Sequence, residues 1–134
     1  MGMNKVEHIG IAVKDLDEAV ARYTALLGTE PYKRETVESE GVVTVFFNAG
    51  NVKIELLHAT HESSPIFRFI QKRGEGIHHI AYGVIDIHAE RERMVANGFE
   101  AIGEIRPGAD NKWVCFFHPR SANGVLTELC QESG

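Results

Sequence analysis

The sequence has little cysteine, no long hydrophobic run and no excess of positive charge. Two cysteines are too few for a disulfide scaffold and favour a reducing, cytoplasmic setting. No apolar run approaches the ~20 residues of a membrane-spanning helix, and the N-terminus lacks the charged-then-apolar pattern of a secretory signal. A net charge of −5 argues against nucleic-acid binding, which typically needs a basic stripe. We therefore expect a soluble globular protein with no nucleic-acid or membrane partner.

The residues that are present fit one domain. A chain of 134 residues can bury a substantial core, and 43% hydrophobic with 25% charged residues is ordinary for a globular protein. We expect a single domain over residues 4–132. Seven histidines in a chain of this size are a mild indication of metal chemistry.

The strongest pattern is an internal repeat. Segment 7–15, EHIGIAVKD, returns as segment 78–86, HHIAYGVID, when His8 is aligned with His79. Both copies alternate as a half-buried strand does. In both, the histidine is followed on its own face of the strand by glycine or alanine, which leaves space beside the imidazole. A histidine that returns at the same place in a duplicated strand suggests that two halves contribute to one site.

Each half is predicted to fold in the order strand, helix, strand, strand, strand. The helix follows the first strand and is capped by Asp15 in one half and by Asp86 in the other. We expect module one at about 5–58, a link with a short helix at 63–74, and module two at about 77–131. The later strands are expected at 31–37, 42–48 and 52–58, and then at 99–104, 113–118 and 125–130.

The repeat gives each half one histidine and one glutamate: His8 with Glu55, and His79 with Glu128. Imidazole and carboxylate together suit a divalent transition metal, which can act as a Lewis acid on a carbonyl oxygen. Alone, a histidine in an apolar strand is more often a core or surface residue, and Glu55 would be assigned to a solvent-facing edge. Because all four recur at matched positions, we predict that they form one metal site.

These motifs resemble the vicinal oxygen chelate superfamily, which includes glyoxalase I, and within it the methylmalonyl-CoA epimerase family. The segments that carry the resemblance are HIGIAVKDLD at 8–17, GVV at 41–43, IELLH at 54–58, SPI at 64–66, GIHHI at 76–80, FHP at 117–119 and GVLTEL at 124–129. The resemblance implies an α+β fold in which two tandem βαβββ modules form a curved, cup-shaped mixed sheet. It also implies one divalent metal ion in the cup: Co2+, Mn2+, Zn2+ or Ni2+.

The resemblance further implies a reaction. An epimerase of this kind interconverts (2R)- and (2S)-methylmalonyl-CoA by C2 proton abstraction through a metal-stabilised enolate. Glu128 is then expected to be catalytic as well as a ligand, although a direct ligand is a poor base. Some relatives carry a second glutamate where this chain has Thr44, so the second acid/base group is open. The implied partners are a CoA thioester substrate and a second copy of the chain in a homodimer.

Two other functions are compatible with the same residues. A glyoxalase I-like lactoylglutathione lyase would use a similar ligand set, and the SPI link with the His78-His79 pair favours the epimerase over it. A non-catalytic small-molecule binding protein belongs to another class, and it needs no charged carboxylates in its cup. Four cations in predicted loops or helix ends are candidates for contacts with CoA phosphates, although solvation also explains them: Lys72, Arg73, Lys112 and Arg120.

Overall fold

A computed structural model describes residues 3–133, so Met1, Gly2 and Gly134 lie outside the described residues. The elements are β1 (Met3–Ala12), α1 (Leu16–Leu27), β2 (Lys33–Val37), β3 (Val42–Ala49), β4 (Val52–Ala59), α2 (Pro65–Arg73), β5 (Gly76–Val84), α3 (Ile87–Ala96), β6 (Ala101–Pro107), β7 (Lys112–Phe117) and β8 (Thr127–Glu132). Their order confirms two successive strand-helix-strand-strand-strand modules. None of the helices in residues 3–133 is long and apolar enough to cross a membrane.

The helices begin where the capping residues predicted. The Asp15 carboxylate accepts a hydrogen bond from the Glu18 N–H at 3.0 Å, and Asp86 accepts from the Ala89 N–H at 3.1 Å. Ser64 caps the linking helix α2, whose first residue is proline. Each cap satisfies a backbone donor that has no partner within the helix. The repeated aspartate therefore sets the same strand-to-helix turn in both modules.

The strands form a mixed sheet with the order β2-β3-β4-β1-β5-β8-β7-β6. The chain also divides into two compact units. Unit 1 contains residues 3–8 and 79–133 of the described chain, and unit 2 contains residues 9–78. Strand β1 is thus shared, because its first part up to His8 belongs to unit 1 and its remainder to unit 2. The predicted boundaries of a single domain at residues 4–132 stay a prediction.

In unit 2, strands β2, β3 and β4 pair in antiparallel fashion. Helix α1 packs on one face of these strands over a core that includes Leu16, Val45 and Leu56. Residues that are directly opposite in neighbouring strands share a face, so Phe46 and Glu55 lie together on the other face. The strand register thereby separates Glu55 from the apolar core beneath α1.

In unit 1, β5 runs parallel to β8, while β8 pairs with β7 and β7 with β6 in antiparallel fashion. Helix α3 covers one face through a core of Val84, Ile87, Met94, Cys115, Phe117 and Leu129. The opposite face carries a smaller apolar cluster of Ala81, Val114 and Cys130. This second face also presents the polar residues of the candidate site.

Strands β6 and β8 differ from their predicted bounds, and Lys112 lies in a strand instead of the predicted loop. Strand β8 begins at Thr127 instead of residue 125 because a turn with positive φ at Asn123 and Gly124 precedes it. Strand β6 extends to Pro107, with a register shift against β7 between Ile102 and Arg106. Lys112 was predicted in a loop, but it is the first residue of β7 and is buried. Its candidacy as an exposed phosphate contact is therefore wrong.

Gly41 is expected to tolerate substitution poorly. Its φ is +65°, and a Cβ atom there would lie 3.0 Å from His61 Nε2 and 3.1 Å from Ser64 Cβ. Gly50 has a similar φ of +71° with nothing within 4 Å. Gly41→Ala should therefore lower the free energy of unfolding by about 2–4 kcal/mol, against about 1–2 kcal/mol for Gly50→Ala, which adds only left-handed strain. Urea titration measures both values, and equal losses would contradict the predicted clash.

Candidate metal centre

Strand pairing in unit 1 brings His79 and Glu128 to the same face. Glu128 lies directly beside Ala81 of β5, and His79 precedes Ala81 by two residues, so all three side chains point the same way. On the other side of β8, Phe116 lies opposite Glu128. The Phe116 ring meets the His79 ring edge-on, with centroids 6.0 Å apart and planes at 83°. The small Ala81 side chain leaves the space into which the carboxylate and imidazole project.

Three donor atoms converge on this face. His8 Nε2 lies 3.1 Å from His79 Nε2 and 3.4 Å from Glu128 Oε1. His79 Nε2 lies 3.1 Å from the same Glu128 oxygen. Each of the three residues is only 5% exposed. The structure thus brings together three of the four residues that the repeat singled out.

The separations fit a divalent transition metal. Donors bound at ~2.0–2.2 Å around one ion in a tetrahedral or octahedral arrangement lie roughly 3–3.5 Å apart. The three observed separations of 3.1, 3.1 and 3.4 Å fall in that range. Two imidazole nitrogens and a carboxylate oxygen are also the donor set that such metals prefer. The arrangement of His8, His79 and Glu128 can therefore hold a metal ion.

The charge on Glu128 favours metal binding. Burial alone would raise the pKa of this carboxyl, but the neighbouring imidazoles of His8 and His79 outweigh it and lower the pKa to about 2. At neutral pH the group is therefore a carboxylate, which is the form that binds a metal. The same low pKa makes it a weak base. Its electrostatics consequently support the ligand role more directly than the proton-transfer role.

Glu55 and Thr44 belong to unit 2. Glu55 lies on β4 and is 5% exposed, so the solvent-facing edge position considered for it alone is wrong. It is not one of the three converging donors, and its place in the metal site stays a prediction. Thr44 is 1% exposed and precedes Phe46 by two residues, so it shares the sheet face of Glu55. A buried threonine there confirms that no carboxylate base stands at this position.

Two residues next to the donors were not anticipated from the sequence. Glu7 Oε1 lies 2.5 Å from His8 Nδ1, and Lys112 Nζ lies 3.9 Å from Glu7 Oε2. Strand alternation placed Glu7 on the opposite face from His8, yet both side chains are buried and in contact. Cys130 offers a third nearby atom, within 4.8 Å of donors from Glu7 and His8. The available signal for Glu7 was a carboxylate directly before a candidate ligand histidine.

The other candidate cations have different surroundings. Lys72 and Arg73 are exposed at the end of α2, where cations favourably meet the helix C-terminus. Arg120 forms a two-pronged ion pair with Glu100, at 2.8 and 3.0 Å. That guanidinium lowers the pKa of the Glu100 carboxyl through its hydrogen bond. These three residues keep the positions near loops and helix ends that the sequence predicted.

Unit 2 also contains a cavity of about 510 Å³ beside α2. Its lining includes His58 and His61 together with Lys14 and Glu62. Most of these side chains are partly or fully exposed, and they carry charges of both signs. His58 Nδ1 is buried there without a hydrogen-bond partner. Because the lining carries both signs of charge, it does not favour an anionic or a cationic ligand. Neither His79 nor Glu128 lines this cavity.

The fold and the histidine-glutamate centre define a class of protein. The chain belongs to the glyoxalase/bleomycin resistance protein/dioxygenase superfamily, whose model matches residues 7–116. This membership confirms the family resemblance drawn from the sequence motifs. It agrees with the mixed eight-stranded sheet and the three α-helices found in residues 3–133.

Within that superfamily, several relatives that match nearly the whole of this chain are methylmalonyl-CoA epimerases. The ethylmalonyl-CoA/methylmalonyl-CoA epimerase of Cereibacter sphaeroides is 42% identical over 132 residues, which cover 96% of this chain and 98% of the relative. The crystal structure of methylmalonyl-CoA epimerase from Mycobacterium tuberculosis has a TM-score of 0.93 and 33% identity, covering 98% of this chain and 90% of its own. A Streptomyces coelicolor methylmalonyl-CoA epimerase variant in complex with 2-nitronate-propionyl-CoA has a TM-score of 0.91 and 34% identity, covering 99% and 100%.

Proposed function

We propose that this protein is a metal-dependent epimerase that interconverts (2R)- and (2S)-methylmalonyl-CoA. The observation that carries the proposal is the convergence of His8, His79 and Glu128 at 3.1–3.4 Å in a buried site. The relatives that match nearly the whole chain and bear the epimerase name point to the same reaction. Removal of the C2 proton creates negative charge on the thioester oxygen, and stabilising that charge is the main catalytic demand.

The chain's own residues would hold a divalent ion and shape its surroundings. We propose His8, His79 and Glu128 as ligands and Glu55 as the fourth, with Co2+, Mn2+, Zn2+ and Ni2+ as the candidate ions. A bound ion supplies Lewis-acid polarisation of a carbonyl oxygen. Ala81 and Val114 form an apolar surround on the same face of the sheet. Such a surround keeps water out and strengthens electrostatic interactions with the substrate.

Of the two groups that must transfer the C2 proton, only one has a candidate side chain, which is Glu128. Glu128 is the candidate base because its carboxylate is ionised and lies at the site, but its pKa of about 2 makes it a weak one. Thr44 offers no carboxylate at the position where some relatives carry glutamate. No side chain is therefore assigned as the second group that transfers the C2 proton, and water is a candidate for that role.

Two other functions are less well supported. A glyoxalase I-like lyase also removes a proton next to a carbonyl, and the three donors alone do not distinguish it. The relatives over the full chain favour the epimerase. A non-catalytic binder gains nothing from burying two imidazoles and a carboxylate within 3.4 Å of one another, because such burial costs free energy without a partner ion.

Hydrogen exchange at C2 tests the proposal. The protein should catalyse metal-dependent loss of the C2 proton signal of methylmalonyl-CoA in D2O, followed by NMR with each of the four ions. We expect at least a ~10³-fold acceleration over the protein with excess chelator, because the removed Lewis acid contributes several kcal/mol. No exchange with any ion would overturn the assignment. Turnover of the methylglyoxal–glutathione hemithioacetal in its place would identify a lyase.

The remaining proposals concern the setting of the enzyme. The CoA thioester is proposed as substrate from the names of the relatives, including an epimerase solved in complex with methylmalonyl-CoA. A homodimer and a cytoplasmic location are proposed from the family resemblance and from the low cysteine content. Light scattering coupled to size-exclusion chromatography tests the first of these two, with an expected mass of twice the 14.9 kDa chain.

A further inference from the structure

A buried chain of polar contacts leads away from the metal donors within unit 1. His8 Nδ1 is in contact with Glu7 Oε1 at 2.5 Å. The other Glu7 oxygen, Oε2, lies 3.9 Å from Lys112 Nζ. The three residues are between 4% and 6% exposed. Buried charges of this kind are costly unless paired, so the contacts need an explanation beyond surface solvation.

The strands hold Lys112 in place. Lys112 opens β7, and its backbone partner on β8 is Glu132. Its ammonium lies 3.0 Å from Glu132 Oε2 and 3.7 Å from Asp110 Oδ2. Lys112 therefore reaches Glu7 from a position that is fixed by strand pairing and by two further carboxylates.

We infer that Glu7 is a positioning residue that fixes the orientation and tautomer of His8, with Lys112 anchoring Glu7. The inference rests on the proposed metal site. An imidazole that binds a metal through Nε2 must carry its proton on Nδ1, and an acceptor at Nδ1 selects that tautomer. Glu7 is that acceptor. His8 Nε2 then points at His79 and Glu128 with its lone pair available.

The contact between Glu7 and His8 Nδ1 also explains the hydrogen bond between His8 and His79. In a neutral His8 ring whose Nδ1 donates its proton to Glu7, Nε2 can only accept. The 3.1 Å contact between the two Nε2 atoms then has His79 as donor and His8 as acceptor. The metal-free protein is thus arranged so that one imidazole is already in its ligand form. Carboxylates in this position raise the basicity of a ligating histidine.

The tautomer is measured directly in the metal-free wild-type protein. Long-range ¹⁵N–¹H NMR of the histidine rings distinguishes a protonated Nδ1 from a protonated Nε2 under conditions where the ring is neutral. We expect His8 in the Nδ1–H form. A neutral His8 with its proton on Nε2 would overturn the inference without reference to any variant. This readout involves no substrate, so it is independent of the epimerase assignment.

Metal affinity of Glu7→Gln supplies the second readout. The amide keeps the shape of glutamate but loses its charge and adds N–H donors, so it no longer selects one tautomer. We expect a ~10–100-fold weaker affinity for Co2+ or Zn2+ by isothermal titration. Glu132→Gln is the matched control, because its side chain is 78% exposed and touches Lys112 without touching His8. Affinity of Glu7→Gln within twofold of wild type, with circular dichroism unchanged, would contradict the role of Glu7.

The failures of the two proposals are distinguishable. If methylmalonyl-CoA is not turned over but Glu7→Gln still weakens metal binding, the positioning role stands and the substrate is different. If exchange at C2 occurs and Glu7→Gln changes neither affinity nor tautomer, the epimerase stands and Glu7 serves packing alone. In both comparisons the role of Glu7 is measured by metal affinity and tautomer, independently of activity.

Discussion

His79→Ala is expected to abolish metal binding and epimerase activity while the protein stays folded. The substitution removes one of three donors, and its Nε2 is the atom that lies 3.1 Å from both His8 Nε2 and Glu128 Oε1. Losing the ion removes several kcal/mol of transition-state stabilisation, which corresponds to more than ~10³-fold in kcat/KM. Isothermal titration with Co2+ measures binding, and NMR exchange at C2 measures activity.

His78→Ala is the matched control, since it removes the same side chain one residue earlier in β5. His78 packs edge-on against Phe69, with ring centroids 4.8 Å apart, and belongs to unit 2. Its loss should cost about 0.5–1.5 kcal/mol of stability from the aromatic contact and leave metal affinity unchanged. If the two variants lost metal equally, the assignment of His79 as a ligand would be wrong. Retention of full affinity in His79→Ala would contradict it as well.

Leu129→Ala is expected to be strongly destabilising. Leu129 is fully buried between Glu128 and Cys130 on β8, and it packs beneath α3 with Met94 and Phe117. Truncation leaves a cavity, and the loss of buried methyl groups typically costs about 2–5 kcal/mol. Since a domain has only ~5–15 kcal/mol in total, the melting temperature should fall clearly. Urea titration followed by circular dichroism measures the change.

Leu26→Ala makes the same chemical change at a position that is 65% exposed on α1. It removes little buried surface, and alanine is the stronger helix former, so its effect should stay within about 0.5 kcal/mol. A similar loss for both leucines would contradict the packing described for β8. The metal affinity of Leu129→Ala at low temperature should be lower than that of Leu26→Ala, because Glu128 is its neighbour in the strand.

Much of the fold was predictable because its signals are local. Asp15 and Asp86 mark helix starts by chemistry that involves only the next three residues, and the structure has both hydrogen bonds. The repeat predicted the pairing of His8 with His79, because two copies of one strand carry the same residue to equivalent places. Glu128 followed from the same reasoning applied to the last strand. The repeat therefore singled out three side chains that the structure brings together, while their role as metal ligands stays a prediction.

The surroundings of the metal centre could not be predicted in this way. Strand alternation assigns Glu7 to the opposite face from His8, but in the structure both side chains are buried and in contact, and Lys112 of β7 lies 3.9 Å from Glu7 Oε2. Lys112 itself follows a turn with positive φ at Asp110 and Asn111, and a local reading of that segment predicts an exposed loop. The burial of Lys112 and the contact between Glu7 and His8 were not predicted because burial depends on partners that are far apart in the sequence.

The division of β1 has a consequence for the order of events during synthesis. Residues up to His8 belong to unit 1, whose other residues begin only at His79. The first donor therefore leaves the ribosome early and must wait for β5 and finally β8 before its partners exist. A nascent chain that stops before Glu128 holds no complete set of donors. A metal ion held by the three proposed ligands would therefore bind only to the finished chain, although its first ligand, His8, is among the earliest residues made.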